Sequence, residues 1–176
     1  AQGSGSYSDV INGINDAVGK GAKVISMSLG GANFSQALQD VVTNAVTAGV
    51  VVLASAGNDG NCAPNYPAAL AGVISVAATQ QAGGLASYSQ RGSNVDIAAP
   101  GDSIDSTLNT GGYGVKSGTS MATPFASAAA ALLLAKCPEY TPAQVETRLE
   151  SNTTALAGIQ PGSGALRADL ATAGGC

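Results

Sequence analysis

Apolar residues recur at helical spacing through Ser8–Lys20, where Val10, Ile11, Ile14, Ala17 and Val18 share one face and Gly21 marks the stop. A β-rich run, Lys23–Leu29, follows and ends at Gly30-Gly31. Ser35–Ala48 is helical again, with Ala37, Leu38, Val41, Val42, Ala45 and Val46 on one stripe and Gly49 behind it. Val50–Ala54 is a continuous apolar run, as in strands buried on both faces, Val73–Ala78 reads as another buried strand, and Val95–Ala99 as a fourth, ended by Pro100-Gly101. Strands alternating with amphipathic helices predict βαβ units and a parallel sheet with right-handed crossovers. Thr119–Lys136 has almost no polar face, which predicts a buried central helix. Thr141-Pro142-Ala143-Gln144 has the form of a helix start, with a Thr cap, Pro at the first position and Gln at the third. Leu85–Ser117 reads as short strand-like pieces between glycines, and Ser151–Cys176 as mostly irregular.

Composition narrows the class. At 176 residues the chain fits one domain, and 45% apolar with only 10% charged residues argues against disorder. Aromatics are 4% and glycines number 24, so small residues must do much of the packing. A net charge of −4 with seven Lys and Arg leaves no footprint for nucleic acid. The apolar stretch Ala126–Ala135 is too short to span a membrane. No residue is histidine, so this chain carries no imidazole base and no His-ligated metal.

The three cysteines, Cys62, Cys137 and Cys176, contain no C-x-x-C pair, so zinc and thioredoxin-like readings lack support. One disulfide and one leftover thiol is the simplest arithmetic. Three reduced cysteines in a cytosolic protein is the alternative. Cys137 follows the buried helix and Cys176 ends the sequence, so a bridge between them would anchor the Gly-rich tail, worth about 3–4 kcal/mol. Few lysines and a Ser/Asn/Gly-rich surface favour secretion. The first residues, Ala1-Gln2-Gly3, lack an initiator Met and a signal peptide, which we read as the start of a processed or truncated product.

Candidate chemistry lies in three segments. Ser117-Gly118-Thr119-Ser120-Met121-Ala122-Thr123-Pro124 puts Ser120 at the mouth of the buried helix, near unpaired N–H groups and the positive end of its dipole. Alone, such a serine reads as a cap. Ser55-Ala56-Gly57-Asn58 lies at the carboxyl end of a buried strand, the edge where open α/β sheets bind ligands. Alone, Asn58 reads as a turn residue. Ser28-Leu29-Gly30-Gly31 ends another strand and could pair with an extended peptide, or be a plain βα turn. It lacks the spacing of a phosphate loop.

In this order the three segments resemble the motifs of the subtilisin-like serine proteases, the subtilases. Gly118–Pro124 matches the nucleophile motif, Ser55–Asn58 the oxyanion segment and Ser28–Gly31 the substrate segment. Gly3-Ser4-Gly5-Ser6-Tyr7 resembles the opposing substrate strand and the start of the helix after it, and Val95–Gly101 also fits. The resemblance implies a three-layer α/β fold with a mostly parallel sheet between helices, of which residues 1–176 form the C-terminal part of a single catalytic domain. Subtilases order their triad Asp, His, Ser. Both upstream segments are missing here.

The resemblance makes Ser120 the nucleophile and Asn58, with the Ser120 backbone N–H, the oxyanion donors. Gly3, Ser4 and Gly5 would face Ser28, Leu29 and Gly30 across a substrate strand. Ala56 and Gly57, with Leu29 and Gly30, would wall the pocket for the residue before the scissile bond, and Asp59 would stand near its rim. A structural calcium would take the Asp96 carboxylate and the carbonyls of Ala71 and Val73. The function expected is a secreted serine endopeptidase acting on polypeptide through an acyl-enzyme. Its Asp and His would come from a separate N-terminal fragment of the same protease. The alternative is an inactive, truncated peptide-binding or scaffold module.

Overall fold

A computed structural model of the protein describes residues 4–156 and 164–176. Helix α1 (Tyr7–Gly19) starts at a reciprocal cap in which the Ser6 hydroxyl accepts from Asp9 N and the Asp9 carboxylate accepts from Ser6 N. Strand β1 (Val24–Met27) leads to α2 (Gln36–Thr47), whose N-cap is Ser35. Strands β2 (Val51–Ser55), β3 (Val73–Thr79) and β4 (Ile97–Pro100) pair in sequence order, all parallel. Beyond β4 come β8 (Ala165–Leu166), parallel to it, and β7 (Thr153–Thr154), antiparallel at the edge. The sheet order is β1-β2-β3-β4-β8-β7.

Helix α3 (Thr119–Lys136) has the bounds the apolar pattern predicts. It packs with α4 (Pro142–Glu150) and α5 (Ala168–Thr172) on one sheet face. That core includes Leu53, Val76, Ile97, Ala126 and Leu133. Helices α1 and α2 cover the other face around Leu38, Val42, Val52 and Ala54. The α/β architecture, helices on both sides of a mostly parallel sheet, is therefore the expected one. Small residues bring helix and sheet close: a Cβ on Gly101 would lie 2.6 Å from Ala78 Cβ and 2.8 Å from Gly118 O.

Two segments are more ordered than the sequence suggests. Within Leu85–Ser117, β5 (Ile104–Thr107) and β6 (Tyr113–Lys116) form an antiparallel hairpin. Within Ser151–Cys176, read as mostly irregular, the short elements β7, β8 and α5 occur, and residues 157–163 lie outside the described residues. The two strands are only two residues long, too short for any periodicity to register. Cys137 and Cys176 form a disulfide, and Cys62 is free and exposed. The tail is also held by Arg148, which donates to Ala171 O and Ala173 O, and by Lys136 Nζ, which donates to Thr172 O.

Closing a loop of 39 residues of separation should contribute about 4 kcal/mol by chain entropy. Cys176→Ser should therefore lower the stability of the protein by several kcal/mol in denaturant titration. An unchanged midpoint would show that the tail is held by its other contacts.

Candidate active site

Three chain segments meet where the carboxyl ends of β1 and β2 face the N-terminus of α3. The N-cap of α3 is Gly118, which has no side chain to cap the helix, and the first helical N–H, that of Thr119, is taken by Asn58 from another segment. Ser120 is thus not a capping serine. Its backbone N–H has no protein partner among the described residues. Pro124, inside the helix, supplies no N–H to the carbonyl four residues back, which is that of Ser120. Ser28 Oγ donates to that freed carbonyl at 2.8 Å, tying the strand end to the serine. Ser120 Oγ has only a long 3.5 Å contact to Ser28 O, so its hydroxyl is free to reorient.

Asn58 is fixed by Thr119. Its Oδ1 accepts from Thr119 N at 2.9 Å and from Thr119 Oγ1 at 3.0 Å. Thr119 Oγ1 accepts in turn from Gly57 N at 3.2 Å. With Oδ1 committed, the amide cannot flip without losing both bonds. Its Nδ2 is left without a protein acceptor among the described residues. A Cβ placed on Gly118 would lie 3.6 Å from Asn58 Nδ2 and 3.7 Å from Ser120 N. Two unpaired donors thus lie within 4 Å of one point, on two residues that line the same space. Such a site suits an oxygen that gains negative charge.

A cleft of about 390 Å³ adjoins this space, lined by Leu29, Gly30, Gly31, Gly57, Asn58, Asp59 and Ser120 among others. Asn65 and Gln90 also line it, and sequence reasoning missed both. Asn65 Nδ2 donates to Ser55 O at 3.1 Å, and its amide lies so close over Gly30 that a Cβ there would be 2.1 Å from Nδ2. Gly31 and Tyr66 exchange backbone bonds of 2.8 Å across the cleft. The amide residues carried no motif. Only their position in the connections that follow β2 and β3 could have pointed to them.

Most of the expected substrate residues converge. Ser4, Gly5, Ser28, Leu29 and Gly30 line one groove of about 330 Å³. Gly3 lies outside the described residues. Ala56 does not line the cleft: its side chain turns into the core with Ala77, Val95 and Ala98, leaving Ser55 and Gly57 to form the wall.

The expected metal ligands divide. Asp96 Oδ2 accepts from Ser75 N at 2.7 Å. The Ala71 carbonyl accepts one bond from Gln39 Nε2 at 3.1 Å, and Val73 begins β3 in register with Val52. Instead Asp96 meets Glu146 and Glu150 of α4, with carboxylate oxygens within 4.8 Å of one another. Nothing in the sequence signals this meeting, because some fifty residues separate Asp96 from α4. Burial raises the pKa of all three carboxyls, and the charge of Asp96 further raises those of Glu146 and Glu150.

The chain matches the model of the Subtilase family over residues 1–168. It is 51% identical over 158 residues to subtilisin of Bacillus pumilus, covering 88% of this chain and 58% of that protein. It is 52% identical over 131 residues to thermitase of Thermoactinomyces vulgaris, covering 74% of this chain and 47% of that one. Among solved structures, a protease from Pseudoalteromonas arctica superposes with a TM-score of 0.90 at 35% identity, covering 96% of this chain and 58% of its own. The self-cleaved protease domain of PatA gives 0.86 at 31%, covering 95% and 67%. The chain spans about half the length of the curated relatives it matches.

The three carboxyls yield a pH prediction. Raised pKa values mean that, between the ordinary carboxyl range and the folded values, the folded state binds more protons than the unfolded. Stability should therefore decline as pH rises through that window and stay lower above it. Glu146→Gln should raise the melting temperature at pH 8 and change it little at pH 4. Equal effects at both pH values would show that the carboxyls do not interact.

Proposed function

Because the chain belongs to the subtilase family, a family of serine proteases, we propose that it is the part of a secreted endopeptidase that supplies nucleophile, oxyanion site and substrate cleft, while an N-terminal part of the same protease supplies Asp and His. The observation that carries this reading is the pair of unpaired donors, Asn58 Nδ2 and Ser120 N, close to one another on two residues that line the same cleft. In the reaction, a peptide carbonyl carbon sits against Ser120 Oγ with its oxygen toward the two donors. The base removes the hydroxyl proton as Oγ attacks. The donors hold the resulting oxyanion, the amine leaves with a proton from the same base, and water hydrolyses the acyl-enzyme by the reverse route.

No group of this chain fills the role of the base, and two features support its arrival from a second part. A largely apolar groove of about 520 Å³ runs from Ser120 past Met121, Phe125, Ile104 and Asp105, and Asn58 is not part of its lining. Around it Phe125, Val115 and Tyr113 are exposed, the last at 82%. In addition, β1 stands at the sheet edge with apolar Val24, Ile25 and Met27, an edge that soluble proteins rarely leave open. Both surfaces fit a docked continuation of the domain.

Secretion and a structural calcium belong to the same proposal. The disulfide suits an oxidising compartment, and no helix among the described residues is long and apolar enough to cross a membrane. Asp96, with Glu146 and Glu150 beside it, offers a hard cation a cluster of carboxylate oxygens. Millimolar calcium should then reverse the alkaline loss of stability described above.

A phosphonylating serine reagent should label Ser120 rapidly only when the N-terminal part is present, and this chain alone should not turn over substrate. Rapid labelling of the isolated chain would overturn the two-part reading. It would leave the inactive-module alternative equally without support.

In the complete enzyme, Asn58→Ala should lower kcat far more than it changes KM, since the donor strengthens as the carbonyl becomes tetrahedral. Loss of one oxyanion donor costs roughly 10²–10³ in kcat in subtilisin, the case from which this magnitude is taken. Rates must be divided by titrated sites, because Asn58 also holds Thr119. Normal turnover per titrated site would refute the role.

A further inference from the structure

We propose that Gln90 is a positioning residue for substrate selection: its side-chain amide sets the width of the cleft beside Asn58. The inference rests on the peptidase reading above and adds to it the group that decides which side chains the cleft accepts. Gln90 follows the loop after β3, far in sequence from Ser120, yet it is only 3% exposed and lines the cleft. Its main chain grips the inner wall, since Gln90 N donates to Gly57 O at 3.0 Å. Its side chain grips the outer wall. Oε1 accepts from Asn61 N at 3.1 Å, while Nε2 donates to Asn61 Oδ1 at 2.9 Å and to Ala63 O at 3.1 Å.

Each of these partners is of one kind. Asn61 N–H can only donate and Ala63 O can only accept, so the amide has one orientation and no spare proton. The stem is equally constrained, because a Cβ on Gly57 would come within 2.7 Å of Gln90 Cγ. One residue thus spans from Gly57 to the Asn61–Ala63 segment, and its length fixes their separation. The Asn61–Cys62 part of the outer wall is otherwise tied by Gly60 N to Tyr88 O, Arg91 N to Asn61 O, and a long 3.4 Å bond from Asn94 Nδ2 to Cys62 O, while Asn65, bonded to Ser55 O, holds the segment two residues beyond Ala63. The first three bonds hold the loop to the neighbouring segment but do not set its distance from Gly57. A wall held by a buried, fully used amide discriminates by shape, and a shift of its position changes which side chain fits.

The test uses the complete enzyme and peptide nitroanilides that differ only in the residue before the scissile bond, alanine, leucine or phenylalanine. The readout is the ratio of kcat/KM between them, per titrated site. In Gln90→Glu at neutral pH, a carboxylate oxygen would face Asn61 Oδ1 and Ala63 O without a proton to share. The ratio should shift by roughly tenfold, and return toward the wild-type ratio as the pH falls and the acid regains a donor. Gln90→Met, which has similar length and no hydrogen bonds, should shift the ratio at every pH. Asn61→Ala, a milder change at an exposed position, should shift it in the same direction, and keeps the test decisive if the Gln90 variants do not fold.

Wild-type ratios in the folded variants would overturn the role of Gln90 while leaving the peptidase reading intact. A shift in Gln90→Glu that ignores pH would overturn it as well, since it would mark general damage. A wild-type enzyme that neither titrates nor cleaves would remove the peptidase reading itself, and this inference with it.

Discussion

Thr119 is the joint on which the rest of the site depends. It is fully buried, and every polar group it owns is used. Its N–H and hydroxyl both donate to Asn58 Oδ1, its hydroxyl accepts from Gly57 N, and its carbonyl accepts from Thr123 Oγ1. The first three bonds lock the end of β2 to the start of α3, and the fourth continues the lock into the helix. A buried polar group left unpaired is costly, so these bonds hold together or fail together. The orientation of the Asn58 amide and the placement of Ser120 are therefore not independent facts. Both follow from seating one threonine between a strand end and a helix end.

That seat exists because the helix can come close enough to the sheet. Ala122, Ala126, Ala129 and Ala130 are all buried on α3, facing Ala78 and Ala99 of the sheet in the same core. Gly101 leaves no room for a Cβ between Ala78 and the Gly118 carbonyl. The scarcity of aromatics and the abundance of alanine and glycine are thus the same constraint as the site geometry. Larger side chains on α3 would push its N-terminus away from β2 and part Thr119 from Asn58. Overpacked cores respond by such backbone shifts.

The chain's legibility follows the range of the interactions involved. The βαβ order, the bounds of α3 and the Thr141–Gln144 cap could be read because periodicity and caps are local. Ser120 and Asn58 could be singled out because each sits in a compact motif at an element end. The Asp96–Glu146–Glu150 meeting could not be read, because it arises only when α4 folds back over the start of β4. Gln90 and Asn65 were silent for a different reason: amides on loops have no periodicity, and their role appears only once Gly57 and Gly30 lie against them. The direction of the Ala56 side chain shows the limit of a motif. Its presence in Ser55–Asn58 says nothing about which faces of the segment reach the cleft, and the alternation of side chains sends Ala56 to the core.

The division of chemistry across the fold has a physical logic. Holding an oxyanion requires donors that are fixed and never need to lose or gain a proton, and backbone N–H groups and an amide meet that need in this chain. Activating a serine requires the opposite, a group that changes protonation near neutral pH, and a sequence with no histidine has no side chain whose ordinary pKa lies there. Asp105 and Asp59 border Ser120 through the groove and the cleft, but neither makes a hydrogen bond to its hydroxyl, whose one contact among the described residues is with Ser28 O. The free rotation of Ser120 Oγ is consistent with this division. Its carbonyl is anchored by Ser28 because Pro124 released it, while its hydroxyl holds only the long contact to Ser28 O and borders the groove. Fixed donors and a reorientable hydroxyl thus meet at one serine, and an imidazole that could exchange its proton is absent from the sequence.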